Sequence, residues 1–511
     1  MSLFAVIHVG SEQVGMQITE YQSLQDLRVI DRVSRNVALG EETFKTGRIS
    51  FTALREICEM LKGYRRMLNE YGVRDYRLIA TTAVREAENR PYIVDQIQIK
   101  TGFRVEVVDL PQEIFYKYVP LYANVTNHGL TGIPEGLLFV DIVSGGLGFT
   151  LYQNKTIQYQ QNIHVGALRI KESFDRKQRE SAHFQQALAE YIYSTIEPVG
   201  QALRHHNIKY LVMSGLATRL LLRMLGEDQK GDLSFLRLPD FMQLYNQVKA
   251  LNIPQLTEAY GLSESKAEAV LPTLVLYKQI LALTNIEQIV IPHNHFMDGV
   301  AMLHIGKKTR DPWIGEIVAQ VISFARALGI KYKQDPDHAQ SVEAASLLLF
   351  DKLVKIHGLS ERDRLLLQVA AILHDVGKFI NLRRHYFYSY RLIISSDILG
   401  FSEEERAVMA NIAYYHSKGT PSTNDANFAA LSEEKRVTVA KLAAIIRIAD
   451  AIDRSHRQKA LITDIVLKTN EVIISITSEA DMSLEEWSFA DRAYFFADVF
   501  GINVRLIRQV R

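Results

Sequence analysis

The stretch RLIATTAVREAENRPYIVDQIQIKTGFRVEVVDL, from Arg77 to Leu110, decides the fold class of this chain. It begins with a short apolar run, RLIATTA (77–83), which predicts a buried strand. A helical pattern then continues to Gly102, and a glycine in this place is typical of a helix C-terminus. VEVVDL (105–110) predicts the next strand. Strand, helix and strand in this order indicate an α/β layer with a largely parallel sheet.

The chain before this stretch is β-rich and leads into a helix. FAVIHVG (4–10), GMQITEY (15–21) and LRVIDRV (27–33) are short and separated by turn residues, so they predict three strands. Apolar residues recur at three- and four-residue spacing over 50–71, which predicts a helix there. We expect this first α/β round to form a domain over residues 1–128.

A second round of the same kind follows a Gly/Pro cluster at 129–136. GLLFVDIVSGG (136–146) predicts a strand that enters a glycine-rich turn. A hairpin and a long helix around 180–205 follow, and KYLVMSG (209–215) is again a strand that ends in glycine. The order of elements repeats that of the first round, which indicates a weak internal duplication. This round defines a predicted domain over 129–308.

From about Trp313 the periodicity is helical throughout. Long amphipathic stretches, one led by Ser402 and Glu405 in the pattern of a capping box, predict an all-α domain over 309–460. The last segment, 461–511, returns to a hairpin, a helix and a final strand. The predicted fold class is therefore α/β, with two duplicated α/β domains, an all-α domain and a small α/β segment after it.

The composition is that of a soluble globular protein and argues against several classes of protein, namely nucleic-acid-binding, membrane and disulfide-rich proteins. The 511 residues are 47% hydrophobic and 23% charged, with a net charge of +1, so nothing global indicates nucleic acid or a membrane surface as a partner. One cysteine, Cys58, excludes an internal disulfide framework and fits a reducing compartment. The first residues lack signal-peptide features, and no uncharged apolar stretch of about 18 residues occurs. We expect a cytoplasmic protein that binds neither nucleic acid nor membrane.

Histidine and aspartate side chains occur at helix ends or on apolar helix faces between residues 330 and 460. They are His338, His374, Asp375, His385, His416 and Asp450. Imidazole and carboxylate ligands suit divalent transition metals, and a larger carboxylate share favours Mg²⁺ or Mn²⁺. Such ions activate water and polarise phosphoryl oxygens, so the set predicts a metal-dependent phosphohydrolase site. Taken singly, each histidine fits an ordinary surface or core position better, and Asp450 fits a cap or a partner of Arg447 or Arg454.

In order and spacing, this set resembles the HD superfamily of metal-dependent phosphohydrolases, and LHDVGK and RIADAIDR are typical of that superfamily. The resemblance implies core metal ligands at His338, His374, Asp375 and Asp450. It also implies that His385 and His416 are the extra ligands of members that hold two metals, which Asp375 can bridge. The metal would be Mg or Mn, with Fe or Zn as alternatives.

Basic residues flank the set on two sides. They are Lys378, Arg383, Arg384 and Arg391 on one side, and Arg447, Arg454 and Arg457 on the other. Guanidinium forks suit phosphate oxygens, although a solvated basic face would have the same composition.

A second resemblance extends the first to nearly the whole chain. NVALGEETFKTGRIS (36–50) and LIATTAVREAENR (78–90) are similar to signatures of the exopolyphosphatase/guanosine pentaphosphate phosphatase family, which belongs to the actin-like ATPase superfamily. The similarity continues through TGFRVEVVDLPQEIFYKY, NIHVGALRI, LVMSGLATRLL and MDGV, and many members carry a C-terminal helical domain of HD type. The resemblance implies duplicated actin-like (ribonuclease H-like) domains, a polyphosphate or guanosine polyphosphate substrate, and a homodimer.

The family resemblance also assigns residues in the first two domains. It implies that Glu113 in LPQEIFY is the base for the attacking water and that Arg85 contacts phosphate. Asp141, Gly145 and Gly215 fall in the turns whose backbone N–H groups approach phosphates in that family.

Three of these family motifs are altered here, whereas the metal set keeps every position. IHVGSEQ has His8 and Glu12 where the family has Asp and Asn, and a carboxylate there would repel phosphate. DIVSGGLG has Val143 in place of a glycine and Gly148 in place of a Glu. In the base motif a proline lacks an N–H donor and Ile114 adds bulk.

Three hypotheses remain open from the sequence. The first is a phosphatase acting on polyphosphate or guanosine pentaphosphate from the N-terminal cleft through Glu113. The second moves phosphohydrolase activity on a nucleotide or alarmone to the HD-type site, where Asp375 is essential. The third is a regulator that senses nucleotides or polyphosphate without catalysis.

Overall fold

The computed structural model describes residues 1–143, 145–165, 173–179, 181, 183–226 and 231–509. It forms two compact units, Met1–Val321 and Ile322–Arg511. The predicted division into four domains is finer than these two units and stays a prediction.

The first unit begins with a five-stranded sheet. Its strands are β1 (Ser2–Val9), β2 (Gln13–Tyr21), β3 (Arg28–Asn36), β4 (Tyr76–Ala80) and β5 (Val105–Val107). Their order is β3-β2-β1-β4-β5, with β1, β4 and β5 parallel and the other neighbours antiparallel. The helices of this part are α1 (Leu39–Thr46), α2 (Phe51–Glu70), α3 (Thr82–Glu86) and α4 (Arg90–Thr101). The three predicted N-terminal strands and the helix over 50–71 are confirmed.

The helix predicted to end at Gly102 is two helices rather than one. Between α3 and α4, Ala87 has extended backbone angles. The Asn89 side chain bonds the backbone N–H and C=O of Ile49, which fixes this break in the helix. The predicted end is correct, since Gly102 closes α4 with φ 72°, a value that glycine adopts without the cost of a Cβ.

The second half of this unit repeats the first with one strand added. Helix α5 (Leu110–Asn127) leads to strands β6 (Gly136–Ile142), β7 (Leu147–Gln153), β8 (Thr156–Ile163), β9 (Ile208–Ser214), β10 (Leu233–Arg237) and β11 (Gln288–Pro292). The order is β10-β11-β9-β6-β7-β8. Without β10, it matches the first sheet strand for strand in order and direction, which confirms the internal duplication.

Helices cover this second sheet, and their apolar faces form one core with it. The short helix α6 (Arg176–Arg179) precedes them, and they are α7 (Phe184–Leu203), α8 (Leu216–Met224), α9 (Leu238–Lys249), α10 (Ile253–Tyr260) and α11 (Glu264–Leu281). Helix α12 (Phe296–Thr309) follows and packs instead against α5, β1 and β2. The strand predicted over 105–110 ends at Val107, because Asp109 and Gln112 form a capping box that starts α5 at Leu110.

The second unit is helical up to Ile452, as predicted. Its helices are α13 (Trp313–Lys331, which starts before the unit boundary), α14 (Pro336–Lys352), α15 (Val354–His357), α16 (Glu361–Leu373), a 3₁₀ helix (Val376–Phe379), α17 (His385–Ile394), α18 (Glu403–Tyr415), α19 (Ala426–Ala429) and α20 (Glu433–Ile452). The capping box of Ser402 and Glu405 is confirmed at the start of α18.

The last part of the second unit is a three-stranded sheet and one helix. They are β12 (Leu461–Leu467), β13 (Glu471–Thr477), α21 (Ser483–Phe500) and β14 (Asn503–Gln509). Strand β13 is central, antiparallel to β12 and parallel to β14. The predicted hairpin, helix and final strand are all present.

Helix α13 is long and apolar enough, by length and composition alone, to cross a membrane. A single helix of this kind is weak grounds for a membrane span, because core helices of soluble proteins meet the same criterion. Glu316 and Arg326 lie within the helix, so its sequence is not an uncharged stretch.

Candidate functional site

The helices of the second unit bring the six predicted metal ligands to one place. His338 lies in the first turn of α14, His374 closes α16 and Asp375 follows it. The remaining three lie at the start of α17, the end of α18 and the last turn of α20: His385, His416 and Asp450. Five of the six are at most 3% exposed, and the His385 side chain is 12% exposed.

One group of ligand atoms comes from His338, His374 and Asp450. The two Nε2 atoms are 3.3 Å apart, and the Nε2 atom of His338 is 3.4 Å from Oδ1 of Asp450. All three ligand atoms lie within 4.8 Å of one another. Ligands that share one metal at about 2.1 Å are about 3.0–3.4 Å apart, so these spacings suit a single ion.

A second group comes from His385 and His416, whose Nε2 atoms are also 3.3 Å apart. Asp375 connects the two groups through its two oxygens. Its Oδ1 is 3.5 Å from Nε2 of both His385 and His416, whereas its Oδ2 is 3.6 Å from Nε2 of His374. Asp375 would therefore contribute one oxygen to each of the two groups if both held a metal.

The four histidines are held with their Nε2 atoms toward the centre. The Nδ1–H groups of His374, His385 and His416 donate to backbone carbonyls three residues earlier. The Nδ1–H of His338 donates to the carboxylate of Asp453 at 2.9 Å. A ring whose Nδ1 carries the proton has a bare Nε2 lone pair in its neutral form, which is the form that binds metal.

The centre contains buried acceptor atoms that a cation would stabilise. The Oδ1 atom of Asp375 is buried and accepts no hydrogen bond. The facing Nε2 atoms of His385 and His416 are both acceptors, because their Nδ1 atoms donate to carbonyls. Buried acceptors that face each other without a donor are costly. A divalent ion held by these residues would satisfy all three atoms, so the residues present fit a metal.

The pKa shifts favour the metal-binding form of two ligands. Burial lowers the pKa of His374 to about 3, so its ring is neutral at neutral pH. Burial acts to raise the pKa of Asp375, but the adjacent imidazoles of His374 and His416 and the ammonium group of Lys378 hold it well below its usual range. In His338, burial is outweighed by hydrogen bonds with Asp450 and Asp453, which raise its pKa to about 9. His338 would therefore have to lose a proton to act as a metal ligand.

Sequence reasoning missed two residues of the centre. Asp453 orients His338, as described above, and Gln458 in turn donates to Asp453 from its side chain and backbone. His456 stacks on His338 with ring centroids 3.5 Å apart and forms a further group with His338 and Asp375. Asp453 lies within the motif RIADAIDR, three residues after Asp450. The motif could therefore have singled out this aspartate, but not its hydrogen bond to His338.

Replacing Asp453 with alanine is expected to weaken metal binding by about 10–100-fold, because partners of ligating histidines contribute that much. The imidazole of His338 would lose the carboxylate that fixes its orientation. Metal titration monitored by calorimetry measures the change. Asp453→Asn keeps an acceptor and should retain more affinity than Asp453→Ala; equal affinity for both variants and the wild type would contradict this role.

The predicted basic residues take different positions. Lys378 Nζ is 2.5 Å from Oδ2 of Asp375, and Arg454 Nη1 is 3.4 Å from Oδ2 of Asp450. Both side chains are about one-third exposed and suit phosphate oxygens. Arg447 is buried and donates to the carbonyls of Tyr415 and Gly419, so it is a structural residue rather than part of a basic face. Arg383, Arg384, Arg391 and Arg457 are exposed.

The first unit brings the predicted base and phosphate-binding arginine into a buried ion pair. Arg85 Nη1 is 2.9 Å from Oε2 of Glu113, and Thr82 donates to the same oxygen at 3.3 Å. Arg85 also donates to the carbonyl of Val108. The two charged side chains are 11% and 6% exposed. Glu113 therefore accepts a hydrogen bond from Arg85 rather than from an attacking water molecule, and Arg85 pairs with Glu113 rather than with a phosphate.

Asp141 lies at the end of β6 and is engaged in the same manner. Lys117 Nζ is 3.1 Å from its Oδ1, and the Ser214 hydroxyl donates to that oxygen. Burial raises the pKa of Asp141. Gly215 follows with φ 121° and packs against the carbonyl of Ile142, a position only glycine can fill.

Side chains cover the second glycine-rich turn of this cleft. Carbons of Ile114 lie 2.8 Å from where a Cβ of Gly148 would be, and Leu110 lies 3.0 Å from that position at Gly146. Thr82 packs even closer to Gly145. Protein atoms therefore pack closely on the Cα atoms of these three glycines, where a larger residue would not fit.

The first turn of the cleft is also occupied by protein contacts. His8 Nε2 is 3.1 Å from the Thr81 hydroxyl, and its ring packs on Phe296 with centroids 4.4 Å apart. Burial lowers the pKa of His8 to about 4, so the ring is neutral at neutral pH. His8 thus supplies no positive charge for a phosphate.

In comparisons with known proteins, both the N-terminal and the C-terminal part of the chain match models of the same protein family. Residues 17–304 match the model of the Ppx/GppA phosphatase family, and residues 323–490 match the model of Ppx/GppA phosphatase, domain III. An exopolyphosphatase from Cytophaga hutchinsonii ATCC 33406 is 20% identical, with a TM-score of 0.52 over 60% of this chain and 98% of that one. The Aquifex aeolicus Ppx/GppA family member is 18% identical, with a TM-score of 0.51 over the same shares. At these identities the likeness concerns the α/β fold alone.

Proposed function

The chain belongs to the Ppx/GppA phosphatase family, whose members are divalent-metal-dependent phosphoanhydride hydrolases, and we propose that it hydrolyses its substrate at the histidine–aspartate centre of the second unit. We further propose that this helical part is an HD-type domain, with the six ligands described above. The substrate class is a terminal phosphoanhydride of polyphosphate or of a guanosine polyphosphate.

One observation carries this proposal: Asp375 presents an oxygen to each of two histidine pairs, and its Oδ1 is buried without a hydrogen-bond donor. Divalent ions bound at such a centre activate water and polarise a phosphoryl oxygen. The protein supplies the positions of the ligands through the hydrogen bonds at Nδ1 of each histidine.

The chain's own cations would hold the phosphate groups at this centre. Lys378 and Arg454 lie beside Asp375 and Asp450 and are each partly exposed, so they can turn a charge toward solvent. Their charge offsets that of a polyanionic substrate, and the fork of Arg454 suits two phosphate oxygens. Burial of the ligand carboxylates keeps bulk water away and strengthens these interactions.

The N-terminal cleft is a weaker candidate for the reaction. Its proposed base, Glu113, is 5% exposed and paired with Arg85, and Ile114 and Leu110 pack on the glycine-rich turn. A general base must reach a water molecule, and a phosphate must reach the backbone N–H groups of that turn. Both would require these contacts to open.

Replacing Glu113 with glutamine is therefore expected to leave hydrolysis within about twofold of the wild type. Glutamine keeps the shape of the side chain and an acceptor for Arg85. Phosphate release from tripolyphosphate and from GTP, with Mg²⁺ or Mn²⁺, measures the effect. Loss of turnover in Glu113→Gln, while a metal-site variant such as His385→Ala remains active, would move the reaction to the N-terminal cleft.

A further inference from the structure

Helices α17 and α18 place a group of tyrosine rings beside the metal ligand His385. The Tyr386 ring lies 6.0 Å from the His385 ring and 5.2 Å from the Tyr414 ring, both in edge-to-face geometry. Tyr390, one helical turn after Tyr386, lies 5.9 Å from Tyr414. We call these three residues, Tyr386, Tyr390 and Tyr414, the tyrosine wall.

The tyrosine wall is partly open and has unused polar groups. All three rings are half-buried, whereas the buried residues of α17 are Ser389 and Ile393. In the described part of the chain, the three hydroxyls form no hydrogen bond with protein groups. Hydroxyls left free beside a metal centre are available to a bound molecule.

Two arginines pack on Phe387, the residue that follows Tyr386 in the chain. The guanidinium groups of Arg384 and Arg391 lie 5.0 Å and 5.4 Å from the centroid of the Phe387 ring. The segment from Lys378 to Arg391 contains four cations and no acidic residue. Aromatic rings that alternate with arginines are the composition that binds nucleotides, through stacking and charge together.

We propose that the tyrosine wall binds the base of a nucleoside polyphosphate whose phosphates lie at the metal centre. This inference rests on the proposed function and selects among its substrates. An inorganic polyphosphate has no apolar face, and the negative π-face of an aromatic ring repels a bare anion. A base stacks on such rings and accepts or donates hydrogen bonds, so the wall favours a nucleotide over inorganic polyphosphate.

Enzyme kinetics on two substrates test this inference in the full-length, metal-loaded protein. In Tyr386→Ala, kcat/KM for GTP is expected to fall by about 5–100-fold, the effect of losing one stacked base. For tripolyphosphate it should stay within about twofold. Tyr386→Phe keeps the ring and should keep most of the GTP activity. Tyr494→Ala, on α21 with its side chain 78% exposed, is the matched control and should behave as wild type.

Binding measurements keep the inference testable even if no hydrolysis is detected. Calorimetry with GDP and with pyrophosphate should show tighter binding of GDP to the wild type, and a loss of that preference in Tyr386→Ala. Equal affinity for both ligands, or an equal loss of both in the variant, overturns the inference. Absence of metal-dependent hydrolysis of either substrate would instead count against the proposed function alone.

Discussion

Replacement of Asp375 by alanine is expected to lower metal-dependent hydrolysis by more than about 100-fold. Loss of a mere partner of a metal ligand already costs about 10–100-fold in metal affinity or activity. Asp375 does more, since its oxygens lie within 3.6 Å of Nε2 atoms of His374, His385 and His416. Phosphate release under saturating Mn²⁺ or Mg²⁺ measures activity, and elemental analysis of the purified variant measures bound metal.

The matched control for this prediction is Asp498→Ala, because Asp498 is exposed on α21 and carries the same charge. It should keep both activity and metal content. Full activity in Asp375→Ala would contradict the assignment of the reaction to this centre. A variant that retains metal but loses hydrolysis would show instead that Asp375 acts on the substrate or on water more than on metal binding.

Gly377→Ala is expected to destabilise the second unit by about 3 kcal/mol and to remove metal binding. A Cβ at Gly377 would collide with the backbone oxygen of His385 and the backbone nitrogen of Ser389. The Gly377 N–H also donates to the Ser389 hydroxyl at 2.9 Å, which fixes the close approach. Backbone atoms cannot move aside as a flexible side chain does, so the start of α17, which carries His385, must shift.

Thermal unfolding and metal titration measure the two effects of Gly377→Ala. A loss of about 3 kcal/mol corresponds to a decrease in Tm of roughly 6–12 °C for a unit of this size. Gly63→Ala is the control, because Gly63 lies within α2 and, apart from its chain neighbours and the backbone of its own helix, no atom lies within 4 Å of its Cβ position. It should be neutral or stabilise by about 0.5–1 kcal/mol. Wild-type melting and metal content in Gly377→Ala would refute the close approach.

Much of the fold could be predicted from hydrophobic periodicity and from the glycine, proline and capping residues that mark the ends of helices and strands. The strands at the N-terminus, the helix over 50–71, the helical second unit and the final hairpin all carry strong local patterns. The order of the two sheets confirms the duplication that the sequence indicated only weakly. The failures lie where a side chain competes with the local pattern, as Asn89 does when its amide bonds the backbone of Ile49 and divides a helix.

In the candidate site, too, the sequence predicted what depends on residue type and spacing and missed what depends on contacts between distant residues. Residue type and spacing singled out His338, His374, Asp375, His385, His416 and Asp450, since few other positions place histidine and aspartate at helix ends in that order. Asp453 and His456 were missed because their roles depend on the orientation of one imidazole. Sequence spacing fixes which residues share a helix face, but it does not fix ring rotation or contacts across elements.

The sequence by itself determined the α/β duplication, the helical character of the second unit and the set of candidate metal ligands, because these depend on local periodicity and residue chemistry. Only the tertiary structure decided how those groups are used. It turned Glu113 and Arg85 toward each other and packed Ile114 on Gly148, while it turned four Nε2 atoms toward Asp375. The physical reason is that a buried polar atom without a partner is costly, and the partners of these side chains come from distant segments of the chain.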